Sequence, residues 1–167
     1  FKEVVPNWRE KSTADFREIM SKLSDYVIMN QFKYGLTETQ LTQRGNPQQL
    51  YVLPELFDLM RAGWQAEIPM VPEEGMRIPY RARYGKSVET FFFLGNSGET
   101  PVSGKIRFDN AALADDSVSL LFNRKMRDRA VSLNRIDKKF SEVDAVLPSR
   151  VPVIYESVAA LRGTAGT

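Results

Sequence analysis

Carboxylates come in close pairs along this chain: Glu73 with Glu74, Asp115 with Asp116, and Glu142 with Asp144. Two carboxyl groups set across a sugar are what hydrolysis of a glycosidic bond requires. Adjacent carboxylates are weak candidates for that role. Asp115 and Asp116 read as turn residues ahead of a strand at Val118, and Glu142 and Asp144 share one strand face, which reads as solvated. Asp109, Asp115 and Asp116 also offer oxygen ligands of the kind calcium takes, but the spacing lacks the central Gly and terminal Glu of an EF-hand loop. No metal site is expected.

Gly85-Lys86-Ser87 matches the tail of a phosphate-binding loop, whose amides cradle phosphates while the Lys reaches the terminal ones. The spacing fails, since the loop needs Gly where this chain has Tyr80, and Gly85 reads instead as a tight turn between strands. Arg124, Lys125, Arg127 and Arg129 form the sharpest basic cluster, interrupted by Asp128. It lacks the interleaved aromatics of a nucleic-acid surface and reads as a charged hairpin between Leu121 and Val131. Trp64, Tyr80 and Tyr84 are the aromatics that could stack on a sugar or a peptide. Strand packing accounts for each equally well, and the sequence leaves the two readings open.

The inventory narrows the chemistry further. With no histidine, the commonest general base and metal ligand is missing, which disfavours triad hydrolases, zinc hydrolases and histidine-dependent phosphotransfer. With no cysteine, disulfides and thiolate chemistry are excluded, and no cofactor motif can be placed. The 23 Lys and Arg against 21 Asp and Glu are interleaved rather than blocked, so no nucleic-acid or membrane-surface preference follows. No apolar stretch approaches the ~20 residues that span a bilayer. The opening Phe-Lys-Glu-Val-Val-Pro has no initiator Met and does not resemble a signal peptide, and is read as the start of a mature or excised fragment whose export signal, if any, is missing. The compartment is therefore not inferred.

Two kinds of element must position these residues. Residues 1–12 read as an irregular lead. A helix is expected over Ala14–Tyr34, capped by Ser12 or Thr13, with Asp15 in its first turn and Gly35 after its end. Phe16, Ile19, Met20, Leu23, Tyr26 and Val27 give it an apolar stripe, which must be buried on a neighbour because a helix of this length is marginal alone. Residues 36–49 read as a polar connector. A shorter helix follows, with Pro54 in its first turn, Leu56, Phe57, Leu59 and Met60 on its apolar face, and Gly63 at its stop.

From Trp64 the pattern changes to short strand-like runs. After an irregular stretch marked by Pro69, Pro72, Gly75 and Pro79, strands are expected at Ile78–Tyr84, Val88–Leu94, Val102–Asp109, Val118–Asn123, Ala130–Ile136, Phe140–Leu147 and Val151–Val158. The organising stretch is Val88–Asn110. Phe91-Phe92-Phe93-Leu94 suits a strand covered on both faces, and after a turn its partner strand alternates, with Ile106 and Phe108 opposite Lys105, Arg107 and Asp109. No gap between strands is long enough for a crossover helix, which disfavours a parallel sheet. The expected fold class is mainly β: an antiparallel β-sandwich with two N-terminal helices packed against it. Residues 1–63 would form the helical lead-in and linker, and residues 64–167 the sandwich. Phe92, Leu94, Ile106, Phe108, Leu120, Phe122, Val131 and Leu133 are expected in one core, and Gly163–Thr167 as a frayed end.

Thr90–Asn96 followed by Pro101-Val102-Ser103-Gly104-Lys105-Ile106, and later Leu147-Pro148-Ser149-Arg150-Val151-Pro152-Val153-Ile154, resemble accessory β-sandwich domains of multidomain glycoside hydrolases. The resemblance spans roughly the second half of the chain. It implies a non-catalytic domain of a larger carbohydrate-active enzyme, with a structural or carbohydrate-contacting role, and makes the rest of that parent protein and a carbohydrate the expected partners. By the same resemblance, Asp25–Gly35 and Tyr51–Gln65 look like the end of a catalytic barrel or its linker. No family active-site residue transfers to this chain. The alternatives are a protein-protein interaction module, which needs an exposed apolar patch or an open sheet edge, and a carboxylate-dependent glycoside hydrolase fragment, which needs a carboxylate pair in one cleft.

Overall fold

The run Phe91–Leu94 lies at the heart of β4 (Glu89–Gly95), where consecutive side chains must point to opposite faces. The computed structural model describes residues 13–35, 57–86, 89–114, 119–124 and 130–159. Within it, Phe92 and Leu94 enter one buried cluster and Phe91 and Phe93 another. All four side chains are at most 1% exposed, so β4 is covered on both sides, as the unbroken apolar run predicts.

β4 is flanked antiparallel by β3 (Tyr80–Lys86) and β10 (Val153–Ala159). β1 (Trp64–Gln65) lies outside β3, and β6 (Ser119–Asn123) and then β7 (Ala130–Val131) lie outside β10, completing a six-stranded sheet. The second sheet has four strands in the order β2 (Met70–Pro72), β5 (Val102–Asp109), β9 (Phe140–Leu147), β8 (Asn134–Arg135). Among the described residues every strand ladder is antiparallel, and a single parallel bridge joins Asn96 to Ser149 outside the strands.

The first cluster draws on both sheets: Phe92, Leu121 and Tyr155 of the larger meet Ile106, Phe108 and Val143 of the smaller. Phe108 presents its ring edge-on to Phe92 at 4.9 Å and to Tyr155 at 6.4 Å. Such pairs contribute about 0.5–1.5 kcal/mol beyond their area. The second cluster covers the other face of the six-stranded sheet. There Ile28, Met29 and Phe32 of α1 (Thr13–Tyr34) and Leu59 of α2 (described over residues 57–62) pack on Tyr80, Ala82, Tyr84, Phe91, Phe93 and Ile154. Gly35 and Gly63 end the two helices with φ of +63° and +87°, a conformation costly for residues with a Cβ.

Several sequence expectations change on contact with the fold. β4 and the alternating β5 are not hydrogen-bonded partners. They lie in different sheets and meet only through side chains such as Phe92 and Phe108. In β6 it is Leu121 that enters the core, while Leu120 is 38% exposed and Phe122 is half-buried on the other face. Val131 and Leu133 only pack against the edge of the core. The run expected over Ala130–Ile136 divides, β7 joining one sheet and β8 the other, and leaves Ile136 exposed. The stretch read as irregular before Ile78 contains β1 and β2, with Pro72 tolerated because β2 is an edge strand. Among the described side chains of α1 the buried ones are Ile28, Met29, Gln31 and Phe32, whereas Tyr26 of the expected stripe is exposed. The side chains of Phe16, Ile19, Met20 and Leu23 lie outside the described residues, as do Pro54, Leu56, residues 1–12 and 36–49, and Gly163–Thr167.

Candidate functional site

Helix α1 is seated by two contacts. Phe32 stacks on Phe93 at 4.9 Å and 12°, and Met29 lies over Gly95, where a Cβ would come within 2.5 Å of the Met29 sulfur. The preceding turns of α1 overhang the end of β3 and β4. A cleft of about 240 Å³ opens there, between the helix, Tyr80 of β3, and two turns that carry Ser97 and Arg150. From α1 it takes Lys22, Asp25, Tyr26 and Met29, whose spacing of three and four residues puts them on one helix face.

Asn96, buried at 3% exposure, holds the two turns in place. Its side-chain amide donates to the carbonyls of Thr100 at 2.8 Å and Leu147 at 3.3 Å, and its Oδ1 accepts the Gly98 N–H at 2.8 Å. The second turn is tied to the first when Arg150 N–H donates to Asn96 O at 2.9 Å and Ser149 Oγ–H to Gly98 O at 2.7 Å. Arg150 has φ of +57°, in the left-handed region that non-glycine residues seldom occupy. These bonds hold it there, and strain of this kind clusters at binding sites.

Along the rim, Glu18, Lys22, Glu99 and Arg150 form a chain of charge. Lys22 Nζ is 2.8 Å from Glu18 Oε1 and 3.5 Å from Glu99 Oε1, and Arg150 Nη2 donates to that same Glu99 oxygen at 2.8 Å. Its hydrogen bond to Lys22 holds the Glu18 carboxyl below its ordinary range and raises the Lys22 ammonium in turn. Inside the cleft burial pushes the Asp25 carboxyl up, opposed by the charge of Arg150. Burial likewise pushes the Tyr80 phenol up, with Tyr26 adding to the shift and a hydrogen bond from Asn30 opposing it. The cleft therefore offers an apolar floor of Met29 and tyrosine rings, one desolvated carboxylate as acceptor, and Lys22, Arg150 and Ser97 as donors.

Of the aromatics singled out in the sequence, Tyr80 alone lines this cleft. Trp64 sits at the far end of α1, opposite Tyr84 on the next strand, and its indole N–H donates to Lys33 O at 3.0 Å while its ring stays 43% exposed. Tyr84 is fully buried, its hydroxyl donating to Phe32 O, and burial drives its phenol far above the ordinary tyrosine value. For Tyr84 the packing alternative is the one realised, because no face of the ring is free to stack. The three aromatics share a sheet face and do not make one platform.

The other sequence candidates are dispersed. Glu73 and Glu74 are exposed beyond β2, Glu142 pairs with Lys105 at 2.6 Å on the outer face of the four-stranded sheet, and Asp109 caps a short 3-10 turn by accepting the Ala111 N–H. Gly85 lies inside β3 opposite Thr90, with its N–H donating to Gly63 O at 2.8 Å, so it belongs to the ladder and not to a turn. Arg124 is no solvent-facing cation. Its side chain is 7% exposed, 2.5 Å from Asp58 and 3.9 Å from Glu156, with its guanidinium over the Phe91 ring. Asp115, Asp116, Lys125, Arg127 and Arg129 lie outside the described residues. Among the described residues no cluster of acidic side chains could hold a metal ion, and no helix is long and apolar enough to cross a membrane. Compared with known proteins, no family model, no curated protein and no solved structure matches this chain.

The residues that sequence reasoning missed are Lys22, Asp25, Tyr26 and Met29 on the helix and Ser97 and Arg150 on the turns. Their one sequence signal is the mixed polar and aromatic face at positions 22, 25, 26 and 29, where a packed helix would carry aliphatic residues.

Proposed function

We propose that this chain is a non-catalytic accessory domain of a larger carbohydrate-active enzyme, a β-sandwich whose two sheets pack face to face, and that it contacts carbohydrate through the cleft beneath α1. The observation that carries the reading is the lining of that cleft, in which Tyr26, Tyr80 and Met29 lie beside Asp25, Ser97, Lys22 and Arg150. A sugar ring has apolar C–H faces that pack on aromatic and thioether groups, and equatorial hydroxyls that exchange hydrogen bonds with a carboxylate and with cationic donors. About 240 Å³ is less than the roughly 300–1,000 Å³ of sites for drug-sized ligands, and suits one sugar ring or a chain end. A binding role is favoured over hydrolysis because bond cleavage takes two carboxyl groups across the scissile bond. Here Asp25 faces the cleft, while Glu99 is engaged at the rim by Lys22 and Arg150.

Titration calorimetry with a panel of oligosaccharides tests the reading. Saturable binding is expected, weakened about two- to tenfold by Tyr26→Ala, since an aromatic contact is worth about 0.5–1.5 kcal/mol. Tyr26 is exposed, so its truncation leaves the fold intact. No saturable heat from any oligosaccharide at millimolar concentration overturns it.

A further inference from the structure

We infer that the ligand of the α1 cleft is an acidic saccharide, its anionic group seated where Lys22 and Arg150 converge. This rests on the saccharide reading of the cleft and adds its charge. Both side chains line the cleft, and both reach a single atom, Glu99 Oε1, at 3.5 Å and 2.8 Å. Two cations brought to one oxygen form the geometry of an anion site, and Glu99 is the internal carboxylate that fills it. Glu99 is a weak occupant, because its side chain is 75% exposed and ion pairs at that exposure contribute little. An acidic sugar that also packs its ring on Tyr26 and Met29 displaces it by making the same bonds together with that apolar contact.

The Arg150 backbone is held by the bond from its own N–H to Asn96 O, and its guanidinium is placed by Glu99. One further feature favours a charged sugar over a free anion. The Asp25 carboxylate, which lines the cleft, repels a bare anion brought beside it but accepts hydrogen bonds from hydroxyls. The two charges thus sort the ligand along its length, with the acidic group at the rim and the hydroxyls inside.

The test is NMR-monitored titration of the full chain with a trigalacturonate, with a neutral trisaccharide of matched size, and with inorganic sulfate. The acidic trisaccharide is expected to bind at least about tenfold more tightly than the neutral one, the margin of one charge-assisted hydrogen bond. Glu99→Gln should tighten it by about two- to fivefold by freeing the two cations, and Lys22→Gln should weaken it. Both substitutions are on exposed side chains and should leave the far-UV circular dichroism spectrum unchanged. Equal affinity for the neutral and acidic sugars overturns the inference and leaves the saccharide reading standing. Binding of neither sugar overturns both. Sulfate binding as tight as that of the acidic trisaccharide overturns the inference by making the pair a site for free anions. A Glu99→Gln variant with unchanged affinity also overturns it.

Discussion

Leu120 and Leu121 are adjacent, chemically identical, and turned to opposite faces of β6, which makes them an internal control for the packing of the whole fold. Leu121 is fully buried in the cluster shared by both sheets, and its strand partners are Ser157 on β10 and Val131 on β7. Leu120 is 38% exposed. Truncating a buried Leu to Ala removes its transfer free energy and leaves a cavity, a loss of about 2–5 kcal/mol. In a chain of this size each kcal/mol lowers Tm by about 2–4 °C, so Leu121→Ala should lose roughly 4–20 °C. Leu120→Ala, at a half-open position, should cost less than about 1 kcal/mol and shift Tm by only a few degrees. Scanning calorimetry on the two variants, with a urea titration followed by far-UV circular dichroism, reads the difference directly. Equal losses, or a larger loss at Leu120, would mean that β6 is paired one residue out of register, and the account of the inter-sheet core would fail with it.

Four further outcomes are expected. Gly35→Ala should destabilise by more than about 1 kcal/mol in chemical denaturation, because φ is +63° and the new Cβ would lie 2.8 Å from Cβ of Trp64. Asp58→Ala should lower stability more than loss of the exposed Lys105–Glu142 pair, since it strips the closest partner from an Arg124 side chain that is 7% exposed; a double-mutant cycle checks it. Asp25→Asn should raise stability at neutral pH. The folded-state carboxyl is shifted up by burial, so wild type loses stability as pH rises through the carboxylate range, and the advantage of the variant should vanish in acid, below the unfolded value. The Tyr84 and Tyr155 phenols, both raised by burial, should stay protonated in the folded chain as pH passes about 10, where unfolded tyrosines ionise. Ultraviolet titration should therefore show them ionising only with alkaline unfolding.

The elements were legible where one local rule decided the outcome. β5 and β9 span the residues their alternation predicts, Gly35 and Gly63 stop their helices, and Phe91–Leu94 is buried on both faces. Where several rules tie, the sequence is silent. Leu120, Leu121 and Phe122 are all apolar, so period-two spacing cannot say which of them faces the core. The turn after β4 carries Asn, Ser, Gly and Pro, which serve a hairpin and a crossing between sheets equally well. What ties the crossing together is Asn96 bonding to Leu147 O, a residue 51 positions away. The cleft was hidden for the same reason. Its lining comes from a helix, a strand and two turns, and Arg150 takes a left-handed conformation that no glycine announces. The aromatic signal found Tyr80 but could not separate it from Tyr84, which occupies the same face of the same strand under the end of α1.

Carbohydrate binding in the cleft between α1 and the turns at Ser97 and Arg150, as proposed above, is tested most directly by amide chemical-shift mapping of the isotopically labelled chain during titration with an acidic oligosaccharide. Saturable shifts should concentrate at residues 22–29, at Tyr80, and at residues 97–99 and 149–150, and leave Trp64 and the outer face of the four-stranded sheet unmoved. Shifts centred on Trp64, or none anywhere, would contradict the claim.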